Sequence, residues 1–379
     1  MRYLHILWLL VCFSCNSKDH FLLRGTIPGA IDSTKVVLSS LENPQEKMEE
    51  YVINEKFEFT GKCEVATCYS LYIDDSKIAS KRKIKDKNYR EINFFIENGE
   101  LAFETPHLDS LPLPKSFVAF DVQDEKNYTV TGSAAQDVFY RYQVQTIPLR
   151  NAIHCLKGDF KFSRDVAVYR ELVKRQEELA NVIWEFVKNE PNLGLRIYWA
   201  GLLKKKQFAY DQAYLDSLAR LVKADRDTCA ALMNFRESLG KDAAFTYGTP
   251  LIDTKLLTPE GDSVSLRAQL NKEGYTLLDF WASWCGPCRA SFPHIKKIHE
   301  RNKEKLKVIG LSSDPDNRKW LNALNEEQLP WMQLHCNKAL SASLRITSIP
   351  SFCLVDADGK IVFFGNRGDL DLKLEELGM

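Results

Sequence analysis

Cys285 and Cys288 stand two residues apart in the run "DFWASWCGPCRASFPH", residues 279–294. A pair at this spacing can ligate a metal or can cycle between dithiol and disulfide. A metal site built on one such pair usually needs a second pair at a comparable spacing. This chain has no such second pair, so no metal is expected. The residues before the pair, "YTLLDFW", read as a buried strand, and those after it open a helix. Free N–H groups and the helix dipole favour negative charge at a helix start. A thiolate at Cys285 would be stabilised there, and the thiolate is the nucleophile of disulfide exchange. Cys288 lies one turn further on, within bonding reach. Pro287 falls in the first turn, where its missing N–H costs nothing. The pair can therefore exchange with a substrate disulfide: Cys285 attacks, and Cys288 resolves the mixed disulfide. Trp281 and Trp284 read either as core residues or, together, as an apolar collar beside an exposed sulfur.

The elements that position this pair belong to the last third of the chain. From about Phe245, "YTLLDFWAS" and "LKVIGLSSD" suit central strands buried on both faces. A helical pattern from Ala290 to Asn302 lies between them. "NRKWLNALNEEQ" and "KALSASLRI" predict further helices, "PSFCLVDADGKIVFFG" a hairpin turning at "DADG", and "DLDLKLEELGM" a closing helix. The alternation indicates an α/β domain over 246–379. Residues 20–133 differ. Short β-branched or aromatic runs such as "HFLLRGTI", "TCYSLYI" and "ELAFETP" are punctuated by turn residues, which indicates a β-rich, sandwich-like domain. "ENGE", residues 97–100, is expected to close a hairpin. Residues 134–241 change to a helical period. Val168, Leu172, Leu179, Val182, Ile183 and Phe186 recur on one face, so this segment reads as a helical linker domain. Trp184 and Trp199 on these helices are expected in the core. The basic run 77–87 is expected to be a solvated loop.

The chain has 379 residues, 45% hydrophobic and 27% charged, as expected for several globular domains. Lys+Arg and Asp+Glu both number 51, and nothing in that balance points to nucleic acid. The opening "MRYLHILWLLVCFSC" has Arg2 and then an apolar run from Ile6 to Phe13, too short to span a bilayer and suited to a signal peptide. It resembles a bacterial lipoprotein signal over residues 1–15, which implies lipidation at Cys15. Cys12 and Phe13 stand where that signal carries Leu and a small residue. The alternatives are an ordinary cleaved signal and Cys12 as the anchor. Each places the body of the protein outside the cytoplasm. Cys63 and Cys68 are close enough to pair, but as strand residues an odd number apart they would face opposite ways. A bond between them is allowed and not favoured. Cys155, Cys229, Cys336 and Cys353 are expected as small buried hydrophobes.

"DFWASWCGPC" resembles the active-site segment of thioredoxin, departing from it at Ser283. The resemblance covers about residues 246–379. It implies a thioredoxin fold with Asp279 as the buried carboxylate that accepts the proton of the resolving Cys288. It also implies Pro293 as the kinking proline of the active-site helix. "TSIPS" matches the family's cis-proline loop, which implies a cis Ile349–Pro350 bond packed against the sulfurs and a backbone edge for an extended substrate chain. Trp284, Gly286, Pro287, Ile349 and Pro350 make up the implied substrate-binding set. His294 is expected as a surface residue rather than an acid–base group. The lead-in "GTPLIDTKLLTPEGDSVSLRAQL" and the insertion around "WMQLHC" and "KALSAS" are similar to the membrane-anchored TlpA/ResA type.

The combined expectation is a multidomain, lipid-anchored thiol–disulfide oxidoreductase of the periplasm-facing cell envelope, reducing or isomerising disulfides of envelope proteins. Its partners would be those substrates, a membrane-embedded electron donor and the membrane itself, with no cofactor beyond the Cys285–Cys288 couple. The "GP" dipeptide favours a reducing role. The alternatives are a thiol peroxidase of the peroxiredoxin-like type, and an envelope ligand-binding module carrying an accessory redox domain.

Overall fold

The computed structural model describes residues 19–43, 45–76, 89–112, 127–204, 212–222, 229–243 and 246–379. The signal-like stretch with Cys12 and Cys15, and the basic run 77–87, lie outside the described residues. The described chain divides into two compact units. Of the described residues, one holds those up to 154 with 178–201 and 229–233, and the other holds 155–177, 202–204, 212–222, 234–243 and 246–379.

The N-terminal strands are β1 (Phe21–Thr26), β2 (Lys35–Ser40), β3 (Lys47–Tyr51), β4 (Lys56–Gly61), β5 (Thr67–Asp74), β6 (Tyr89–Ile96), β7 (Gly99–Glu104) and β8 (Thr129–Thr131). They form two four-stranded sheets, ordered β4-β1-β7-β8 and β3-β2-β5-β6. Side chains alternate across a strand, and β1 shows it: Phe21, Leu23 and Gly25 are buried while their neighbours are not. Leu23, Phe59 and Phe103 of one sheet and Leu38, Leu71 and Phe94 of the other belong to a single buried cluster.

"ENGE" does not close a hairpin. β6 and β7, which it joins, lie in different sheets, and β7 instead pairs in parallel with β1. The turn residues behave as their type dictates, since Gly99 takes φ +137°. What redirects the chain is a set of distant contacts. The Asn98 amide is tied to both the N–H and the carbonyl of Cys63 at 2.9 Å, and Gly99 N–H donates to His20 O at 3.0 Å. A turn signal reports the bend, and the strand that follows goes where its buried face finds partners. Cys63 precedes β5 rather than lying in a strand, and Cys63 and Cys68 are both buried and unbonded.

Five helices follow: α1 (Ala134–Ser163), α2 (Val166–Asn189), α3 (Leu193–Lys204), α4 (Gln212–Leu221) and α5 (Ala230–Ala243). Leu172, Leu179 and Ile183 on α2 and Trp199 on α3 are buried. Two cysteines depart from expectation. Cys155 is exposed, because Ile153 on α1 is buried and a residue two further along a helix points to nearly the opposite side. Cys229 is half-buried at the entry to α5, where its Sγ accepts from Leu232 N–H at 3.4 Å. Among the described residues no helix is long and apolar enough to cross a membrane.

The C-terminal part contains β9 (Lys255–Leu257), β10 (Ser263–Ser265), β11 (Tyr275–Trp281), α6 (Gly286–Arg301), β12 (Leu306–Ser312), α7 (Asn317–Glu327), β13 (Met332–His335), α8 (Lys338–Ser343), β14 (Ser351–Val355), β15 (Ile361–Gly365) and α9 (Arg367–Glu376). These strands make one mixed sheet ordered β10-β9-β13-β12-β11-β14-β15. β11 is central, parallel to β12 and antiparallel to β14. Its run of apolar residues is buried from Thr276 onward, as a strand covered on both faces requires. Alternation then sorts its side chains. Leu278 and Phe280 enter one core with Ile309, Leu334 and Cys353. Leu277 and Trp281 face the other way, with Ile295 and Phe292 of α6 in their respective clusters. Asp279 shares that second face by parity. The β14–β15 hairpin turns at Asp356–Gly359, where Gly359 takes φ +80° and its N–H donates to Asp356 O at 3.0 Å.

Candidate active site

The chain leaves β11 at Trp281, makes one turn and enters α6. Cys285 is the N-cap of that helix, and its Sγ accepts from the Cys288 N–H at 3.2 Å. The sulfur therefore sits where unpaired helix N–H groups and the positive end of the dipole lower the cost of a thiolate. Pro287 occupies the first turn, and Pro293 lies inside the same helix. Cys285 and Cys288 are joined as a disulfide. Both are buried, Cys285 at 4% exposure and Cys288 at zero.

The two tryptophans divide between the core and collar readings. Trp281 is fully buried, donates Nε1–H to Gln333 Oε1 at 3.2 Å and packs edge-on against Phe292. It is a core residue because it continues the inward parity of β11. Trp284 is 66% exposed and is the aromatic group presented to solvent beside the couple. Cys285 is likewise less open than expected, being largely covered. Gly286 faces open space, where an added Cβ would meet nothing within 4 Å.

The Ile349–Pro350 peptide is cis. Ile349 packs against the cluster that holds Cys285, Cys288 and Trp281, so the loop before β14 is brought to the couple. Thr347 and Ser348 are exposed and Ile349 is half-buried, which leaves this backbone approachable from solvent.

Asp279 has no solvent exposure, and neither of its carboxylate oxygens has a hydrogen-bond partner. Burial without compensation disfavours the charged form, and its pKa is pushed up to about 7. It can therefore take up and release a proton near neutrality. Cys353, three residues after Pro350, lies in the core on the opposite face of the sheet, and burial pushes its thiol far above the ordinary range. Among the described residues no group of three or more His, Cys, Asp or Glu side chains is arranged to hold a metal.

Several residues of the site carry no signal in the sequence run itself. Arg289, directly after the couple, is held by Glu327 at 2.5 Å and Glu326 at 2.8 Å, both on α7. His294 was expected on the surface, but it is only partly exposed and its Nε2 lies 2.6 Å from Asp371 Oδ1 of α9. Asp314, after β12, accepts from both the N–H and the hydroxyl of Ser283. These partners come from elements 31 to 77 residues away. Only the acidic character of "SSD" at the end of a parallel strand, pointing at the loop after its neighbour, could have suggested Asp314.

Residues 273–361 match a family described as thioredoxin-like, and residues 21–139 match a domain of unknown function, DUF4369. A thioredoxin of Listeria monocytogenes is 32% identical over 94 residues, 25% of this chain and 70% of that protein. The thiol–disulfide oxidoreductase ResA of Bacillus anthracis is 28% identical over 105 residues, 27% of this chain and 60% of that protein. The crystal structure of the thioredoxin domain of a thiol–disulfide oxidoreductase from Bacteroides vulgatus aligns with a TM-score of 0.32 at 30% identity, covering 35% of this chain and 98% of that one. The couple at the mouth of α6, the cis-proline loop beside it, the family match and the likeness to the Listeria thioredoxin converge: through its C-terminal domain the chain belongs to the thioredoxin-like family, and it is a thiol–disulfide oxidoreductase.

Proposed function

We propose that the protein reduces or isomerises disulfides of cell-envelope proteins through the Cys285–Cys288 couple. The observation that carries this reading is the Cys285 sulfur at the α6 N-cap, bonded to the Cys288 N–H, above a strand face bearing the unpartnered Asp279. In the reduced protein the Cys285 thiolate attacks one sulfur of a substrate disulfide. That S–S bond breaks, a mixed disulfide forms, and the first substrate sulfur leaves as a thiolate. Cys288 gives its proton to Asp279 and attacks Cys285 Sγ. The second substrate sulfur leaves, and the protein is left with the Cys285–Cys288 disulfide. Two electrons have passed to the substrate, whose two thiolates take protons from solvent, Asp279 releases the proton it took, and a dithiol donor must restore the electrons. Trp284, Gly286 and Pro287 border the substrate, and Ile349 offers its backbone to an extended chain beside the cis Pro350.

In this reading Cys15 carries the lipid, the body faces the periplasm, and a membrane-embedded protein supplies electrons. The domains are those of the sequence boundaries: a sandwich-like unit over 20–133, a helical linker over 134–241 and the redox domain over 246–379. No further cofactor is required. A peroxidase reading is not favoured, because Cys288 stands within bonding reach of Cys285 in the same helical turn.

The test is the reduction potential of the couple, measured by equilibrating the protein in glutathione buffers and trapping free thiols. A reductant is expected near about −270 mV, the thioredoxin range, whereas a value near about −120 mV would mark a disulfide donor and overturn the reducing role.

A further inference from the structure

We propose that Asp314 is a positioning residue of the active-site turn and that, with Ser283, it sets how Trp284 is presented to protein substrates. The inference rests on the exchange reaction proposed above. Asp314 is 1% exposed, and its carboxylate accepts three hydrogen bonds. Ser283 N–H reaches Oδ2 at 2.8 Å, the Ser283 hydroxyl reaches Oδ1 at 2.6 Å, and the Ser312 hydroxyl reaches Oδ2 at 2.8 Å. Bonds to an ionised acceptor are the stronger kind, and a buried carboxylate deprived of them is costly.

The backbone around Asp314 is itself held from two sides. Ser313 N–H donates to Trp281 O at 2.8 Å, and His335 Nε2 lies 2.6 Å from Asp314 O. The carboxylate is thus a fixed post carried by the β12 end of the sheet. What it grips is one central residue of a turn. Cys285 N–H donates to Ala282 O at 3.0 Å, so Ser283 and Trp284 are the two residues of the bend between strand and helix. Trp281, Ala282 and Cys285 are buried and Ser283 is half-buried, which leaves Trp284 as the exposed residue of 281–285. Holding Ser283 at both backbone and side chain fixes the origin and direction of the Trp284 side chain relative to the couple. It also gives Ser283, the position at which the segment departs from thioredoxin, a physical role.

A large substrate that docks against Trp284 should feel the loss of this anchor, and a small disulfide that reaches the sulfur directly should not. The test compares insulin, turned over with dithiothreitol as donor, with a small aromatic disulfide, dithiobis(nitrobenzoate), mixed in single turnover with pre-reduced full-length protein freed of dithiothreitol, the second-order rate constant standing for kcat/KM. Asp314→Ala is expected to raise KM for insulin about ten-fold with kcat within about two-fold, and to leave kcat/KM for the small disulfide within about two-fold. Ser283→Ala removes the hydroxyl bond alone and should raise KM for insulin roughly three-fold, which keeps the question open to test if Asp314→Ala does not fold. In a Trp284→Ala background, Asp314→Ala should add less than about two-fold, because the group it acts through is gone. Equal losses on both substrates, or losses that multiply in the double variant, would overturn the inference and leave the exchange reaction standing. A wild-type protein that reduces neither substrate would overturn the exchange reaction and this inference together.

Discussion

Cys285→Ser is expected to abolish turnover on a protein disulfide, to below about one part in a thousand of wild type. A serine hydroxyl can still accept the Cys288 N–H, so the helix start survives, but it is not ionised at the helix N-terminus as a thiol can be. Neither of the other two cysteines of the redox domain replaces it. Cys353 is buried on the far face of the sheet, and Cys336 is buried with its Sγ 3.2 Å from Ser341 Oγ. The partner substitution separates the two steps. Cys288→Ser should still attack the substrate and then stop, accumulating a mixed disulfide with Cys285 that is visible as a mass increase on a non-reducing gel. Full turnover with Cys285→Ser, or no trapped species with Cys288→Ser, would contradict the assignment of attack and resolution.

Asp279→Asn should act on the second step. If the carboxylate takes the Cys288 proton, release of the mixed disulfide slows on the order of a hundred-fold, the usual scale for one positioned base. Formation of the mixed disulfide, which belongs to Cys285, should change less than about two-fold. In the wild type the release rate should climb with pH as Asp279 ionises around pH 7 and level off above it, and the variant should lose that inflection. Equal slowing of both steps would remove Asp279 from the mechanism.

The same residue makes a stability prediction of defined sign. Its folded pKa of about 7 lies above the ordinary carboxylate value of 3.8. Between those values the folded protein holds a proton that the unfolded chain has released. Stability therefore falls as pH rises from about 4 to 7, and the penalty is complete above that window. The difference corresponds to about 4 kcal/mol for a fully buried group. Asp279→Asn should consequently be more stable than wild type at pH 8 and show little gain at pH 4, read as denaturant midpoints at the two pH values. The residue would then be one that the fold tolerates at a loss, which is expected where a buried charge serves chemistry.

The features of the site that were legible in the chain are those made by neighbours in sequence. The spacing of Cys285 and Cys288 is one helical turn, Pro287 suits a first turn, and the apolar run before them is a central strand. Each of these depends on contacts three or four residues apart. "DADG" closed the hairpin it named. Tertiary structure decided the rest. Trp281 went to the core and Trp284 to solvent, although both are tryptophans beside the same couple, because one continues a buried strand and the other stands in a turn. "ENGE" bent the chain as its residues require, yet β7 joined β1 in the other sheet, since a turn does not carry the hydrogen-bonding edge its strand will use. Ser283 acquired Asp314, Arg289 acquired Glu326 and Glu327, and His294 acquired Asp371 across gaps that no local period spans. Chemistry that rests on backbone geometry is written locally, whereas the partners that aim and tune it arrive from strands and helices whose register only the packed sheet determines.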